Sequence, residues 1–126
     1  MKNNRDIENY LLQMGVHFES PEEGMWLLRI EPSDFVLMLK HEPPILEFMV
    51  NVARLPEKNL EGFYRKLLEL NASDVVHGAY GISDDKVVVT TALQTENLDF
   101  NEIQAAIESI ALQLQTHYAE LKEFYK

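Results

Sequence analysis

The chain has no cysteine. Disulfide staples and thiolate metal sites are therefore excluded, and a reducing, cytoplasmic compartment is expected. Basic residues are scarce: 11 Lys and Arg face 21 Asp and Glu, a net charge of -10. The deficit is even, with 6 basic and 11 acidic side chains in residues 1–63 and 5 and 10 in residues 64–126. Such a surface repels phosphate backbones, so no nucleic-acid partner is expected. No apolar run approaches the roughly 18 residues needed to cross a bilayer, so no membrane association is expected either. The opening MKNNRDIENY lacks the apolar stretch of a secretory signal. Repeats, linkers and low-complexity tracts are also missing.

What is present is an ordinary globular composition. The 126 residues are 46% hydrophobic and 25% charged, which suits one domain over residues 1–126. Ile7, Tyr10, Leu11 and Met14 recur at helical spacing and predict a first helix over Asn4 to Met14, stopped by Gly15. His17 to Ser20 reads as a short strand or a loop. Three strands follow: Met25 to Ile30, Phe35 to Lys40 and Ile45 to Arg54. The turns between them fall on Pro21-Glu22-Glu23-Gly24, Glu31-Pro32-Ser33-Asp34 and His41-Glu42-Pro43-Pro44.

A second helix is predicted from Glu57 or Lys58 to Leu70, with Asn71 as its C-terminal cap. Gly62 inside it costs about 1 kcal/mol relative to alanine. A hairpin then runs from Val75 to Ile82 and from Val87 to Leu93, with Ser83-Asp84-Asp85-Lys86 as the turn. Gly78 and Gly81 suggest a bulge or a closely approaching helix. Asp99, with Glu102 three residues on, has the pattern of a helix N-terminus. Ile103, Ile107, Ile110, Leu114, Tyr118, Leu121 and Tyr125 then form one apolar stripe on a helix of roughly 25 residues. The order α-β-β-β-α-β-β-α implies an α+β domain with a mainly antiparallel twisted sheet and helices packed on one face.

Four stretches stand out: Tyr64 to Asn71 (YRKLLELN), Gly78 to Ile82 (GAYGI), Val87-Val88-Val89, and Glu96-Asn97-Leu98-Asp99 before the last helix. With the element order, length and acidity, they resemble the type III secretion chaperone-like fold. Among its groups the chain is most similar to the YbjN-like group and the Tir chaperone (CesT) family. The resemblance implies a small, acidic, commonly homodimeric protein with no catalytic residues. It also implies apolar patches that hold an extended segment of a protein client.

The residues supply no competing chemistry. His17, His41, His77 and His117 lack the i, i+4 pairing of a helical metal site, and no cofactor is expected. Asp84 and Asp85 suit a turn and lack the further oxygen ligands of a calcium loop. The serines lack a nucleophile-elbow context, and Gly78-Ala79-Tyr80-Gly81 is no phosphate loop.

Strand phase is more informative. Trp26, Leu28 and Ile30 share one face, and Met25 and Leu27 the other. Phe35, Leu37 and Leu39 likewise oppose Val36 and Met38, and Leu46, Phe48, Val50 and Val52 oppose Ile45, Glu47, Met49, Asn51 and Ala53. A sheet covered on one side should alternate apolar with polar. Here both faces carry apolar side chains, and the second is enriched in methionine. Met25, Leu27, Val36, Met38 and Met49 are therefore candidate partner-binding residues, since exposed apolar patches mark interaction sites and methionine suits several partners. The alternative is that loops or the first helix cover this face. Leu60, Phe63, Tyr64, Leu67 and Leu68 spread round the second helix beyond one stripe, which fits either deep burial in the core or sharing between subunits, and the resemblance tips them towards a homodimer interface. A non-enzymatic, chaperone-like binding module is expected. The competing expectation is a scaffolding dimer without a client that docks a partner through its acidic surface.

Overall fold

The computed structural model describes residues 1–30, 35–75 and 77–126. Its elements are α1 (Asn4–Met14), β1 (Phe18–Glu19), β2 (Met25–Ile30), β3 (Phe35–Glu42), β4 (Ile45–Arg54), α2 (Leu60–Ser73), β5 (Ala79–Ser83), β6 (Lys86–Gln94) and α3 (Phe100–Lys122), ending in a single 3-10 turn (Glu123–Tyr125). The α+β class follows directly. The stretch read as strand or loop is the two-residue β1. The expected turn at Glu31-Pro32-Ser33-Asp34 lies outside the described residues, as does Val76 of the expected hairpin strand.

The six strands form one antiparallel sheet in the order β1-β2-β3-β4-β6-β5. One row crosses all of them: Phe18, Leu28, Leu37, Val50, Val89 and Tyr80 stand opposite one another in turn. This face is the core. It packs against Ile7 and Leu11 of α1, Phe63, Leu67 and Leu70 of α2, and Ile103, Ala106, Ile107, Ile110 and Leu114 of α3. All three helices therefore lie on the same side.

Element ends follow from local hydrogen bonding. At α1, Asn3 accepts from the Asp6 amide and Asp6 accepts from the Asn3 amide, both at 2.9 Å. At α3, Asp99 accepts from the Glu102 amide at 2.8 Å, as its spacing predicted. Asp99→Ala is expected to lower stability by about 0.5–2 kcal/mol, because an orphaned amide loses its acceptor. A denaturant titration checks this; an unchanged midpoint would mean that another residue caps the helix.

Several boundaries differ from expectation. His41 and Glu42 extend β3, opposite Leu46 and Ile45, and leave Pro43-Pro44 alone as the turn. The His41 ring bonds the Asn4 side chain, and burial pushes its pKa below the usual histidine value. Helix α2 starts later, at Leu60, because Asn59 caps it by accepting from the Gly62 amide at 3.3 Å. A Cβ on Gly62 would come within 2.5 Å of the Asn59 side chain, so the glycine makes room for the cap.

Asn71 is not the C-cap, which is Asp74. Its amide instead bonds Tyr80 twice, accepting from the backbone N–H at 2.8 Å and donating to the carbonyl at 3.1 Å. Neither a bulge nor a helix explains Gly78. It sits at φ 77° where a Cβ would meet the Thr90 carbonyl oxygen at 2.3 Å. The ladder irregularity lies elsewhere, between Asn51 and Ala53 of β4.

The α3 stripe also shifts. Tyr118 is 58% exposed, and His117 takes the inward position at 2%. Each four-residue step overshoots a full helical turn by about 40°, so consecutive steps of four from Ile110 to Leu114 to Tyr118 leave the core face. The buried His117 is satisfied through Nδ1, 2.7 Å from the Tyr80 hydroxyl, while its Nε2 lies 3.7 Å from the Asp74 carboxylate. Burial raises the Tyr80 pKa well above the ordinary phenol value.

Candidate protein-binding face

The row next to the core row points the other way. Glu19, Leu27, Met38, Met49, Thr90 and Ala79 stand opposite one another across all six strands. At about 4.8 Å per strand the row is about 24 Å wide. Met25, Lys40, Glu47 and Ala92 form a flanking row. Asn51, Val88 and Gly81 align on the other flank, as do Arg29 and Val36. None of these side chains joins the core cluster that the helices share.

Each expected binding residue is on this face. Val36 is exposed, and Met25, Leu27, Met38 and Met49 are half-buried by one another and by their neighbours. They do not line one long groove. Two shallow depressions flank the Leu27–Met38 pair instead. One is lined by Met38, Glu47, Met49, Thr90 and Ala92, the other by His17, Glu19, Leu27, Arg29 and Val36. The apolar row is therefore bordered by polar and charged groups. Lys40 bonds Glu42 at 2.8 Å, and that hydrogen bond holds its pKa above the usual lysine value.

Val88, Thr90 and Ala92 of β6 complete the face, and sequence reasoning did not find them. The phase of β4 alone could not say that β6, rather than β5, is its neighbour. Val87, Val88 and Val89 are all buried, so alternation gave no phase for β6.

The residues expected at a dimer interface divide in two. Phe63 and Leu67 are 1% and 4% exposed and belong to the core of this chain. Leu60, Tyr64 and Leu68 are 38%, 37% and 68% exposed. Their spacing of four places them in one line along the outer side of α2. Among the described residues no group of three or more His, Cys, Asp and Glu could hold a metal ion. No helix there is long and apolar enough to cross a membrane.

No curated protein matches the chain. Solved structures do. YbjN from E. coli is 16% identical, with a TM-score of 0.71 over 94% of this chain and 93% of that one. A chain of the heterodimeric ExoU–SpcU complex, from the type III secretion system of Pseudomonas aeruginosa, is 18% identical, with a TM-score of 0.65 over 95% and 98%. The Yersinia pestis type III secretion chaperone SycH, solved with a stable fragment of YscM2, is 15% identical, with a TM-score of 0.65 over 90% and 97%. At these identities the likeness shows a shared fold, the type III secretion chaperone-like fold. The CesT_Tir_1 family model matches residues 1–126, and the chain belongs to that family, which is non-enzymatic.

Proposed function

We propose that this protein is a homodimeric chaperone-like binding module that holds an apolar, extended segment of a protein partner against its helix-free sheet face. The observation that carries the reading is the row Leu27, Met38 and Met49, apolar and outside the core cluster. Thioethers adapt their shape, which suits a surface that must accept irregular side chains. Polar and charged borders fit a site that keeps an otherwise aggregating partner in water. Similar folds support it: HopA1–SchA is a chaperone–effector complex, and SycH was solved with a fragment of YscM2. The absence of cysteine fits a cytoplasmic site of action.

The test is a pull-down from native lysate with the unmodified chain and with Met38→Glu, followed by mass spectrometry. A partner captured by the first and lost with the second supports the face as the site. Identical captures with both would overturn it.

Leu60, Tyr64 and Leu68 support the dimer, since a line of large apolar side chains on an outer helix surface gains by pairing with its own copy. Light scattering is expected to return about twice the 14.6 kDa chain mass. Leu68→Glu is expected to return the single-chain mass. A monomer before any substitution would sink the dimer.

A further inference from the structure

An apolar pocket of about 260 Å³ opens on the helix-covered side, near the end of α3. Phe63, Val87, Leu114 and Leu121 wall it. Phe124 and Tyr125 stack edge-on against Phe63, at 5.3 Å and 5.9 Å between ring centres, and brace that wall. Tyr118, Tyr125 and Lys122 stand at its mouth. Two features are unusual for a mere packing gap. An apolar cavity of roughly 150 Å³ is enough to bind benzene, so this one accommodates a larger body. Both tyrosines are also substantially exposed, so the pocket communicates with solvent.

Among the described residues, the one charged side chain that lines the pocket is a cation, Lys122. The chain carries -10, yet the Lys122 ammonium lies 5.7 Å from the centre of the Tyr118 ring, and no carboxylate pairs with it among the described residues. Arg54 follows Ala53 of the lining and pairs in register with Lys86, so two more cations stand at this end of the sheet. Asp84 and Asp85 of the adjoining turn balance those two, with Asp85 3.8 Å from the Arg54 guanidinium, so Lys122 is the cation left to meet an anion.

We infer that this pocket binds a free medium-chain fatty acid, with the alkyl tail among the apolar walls and the carboxylate at Lys122. A neutral apolar group would fill the cavity and leave the cation unanswered. A cationic amphiphile would meet Lys122 with like charge. An anionic membrane would repel a protein of this net charge, which favours the free acid over a lipid surface. The sheet face plays no part in this site.

The experiment is calorimetric titration of the full chain with sodium decanoate below its micelle concentration, beside 1-decanol and decyltrimethylammonium. Saturable one-to-one binding of decanoate is expected, with 1-decanol weaker and the ammonium weakest. Lys122→Glu should weaken decanoate about tenfold and leave 1-decanol unchanged, because it removes one partly exposed ion pair and sets a like charge against the carboxylate. Ala53→Trp, at an exposed position on the rim, should block both. The unmodified chain decides even if a variant fails to fold. Absence of saturable decanoate binding, or equal affinity for the ammonium, overturns the proposal. So does a folded Lys122→Glu that binds decanoate like the parent.

Discussion

Leu37→Glu and Phe48→Glu are expected to unfold the protein, whereas Met38→Glu and Met49→Glu are expected to leave it folded. Leu37 is 0% exposed and Phe48 1%, and both lie under the helices. Burying either apolar side chain contributes about 1.5–3 kcal/mol. A glutamate there loses that term and also carries an unpaired carboxylate into the core, for a total of about 4 kcal/mol or more. Most single domains have only about 5–15 kcal/mol to lose. Met38 and Met49 are the next residues along the same strands, and their side chains point to the helix-free face. A glutamate at either can turn its carboxylate to water, and its expected cost is below about 2 kcal/mol. Thermal melts of the four variants settle the matter. If both methionine variants collapse as badly as the core pair, the second face is itself covered, and the binding surface proposed above is wrong.

The second large effect is expected at Gly78. Gly78→Ala adds a single methyl group, yet it should destabilise the fold by about 2–4 kcal/mol, more than most surface substitutions. Two independent causes add. The backbone sits at φ 77°, a region that costs an L side chain of order 1 kcal/mol. The new Cβ would also lie 2.3 Å from the Thr90 carbonyl oxygen, part of the backbone of the neighbouring strand, which cannot rotate away. Gly81→Ala is the control, because its Cβ would meet only a Val88 methyl at an ordinary 3.8 Å. Urea midpoints should drop sharply for the first and little for the second. Equal midpoints would show that β5 and β6 can shift apart.

Most elements were readable in the sequence because their signals are local. The α1 stripe with Gly15, the Asp99 cap and the phases of β2, β3 and β4 each depend on residues only a few positions apart. Alternation in β2 and β3 also separated Leu27 and Met38 from the core before any contact was known. What local pattern could not supply was pairing at a distance. The role of Asn71 depends on Tyr80 passing beside α2, and Gly78 owes its conformation to Thr90. His117 is inward-facing because Tyr80 offers it a hydroxyl, and hydrophobic periodicity gives a histidine no weight. Phe63 and Leu67 looked free to join an interface only because nothing in α2 alone says which of its two apolar sides the sheet takes.

The Asn71 side chain has a consequence for how copies of this protein meet. The outer strand of a sheet offers unpaired N–H and C=O groups to any passing strand, the usual start of uncontrolled assembly. At Tyr80, in the outermost strand β5, both groups are already engaged by one amide that imitates a neighbouring strand. At the opposite margin, β1 is two residues long and offers little template. A protein that displays methionines and leucines to hold others would be prone to stack on itself through such margins. Here one margin is blocked at Tyr80 and the other is cut short, which disfavours pairing at the rim relative to contact with the side chains of the flat face.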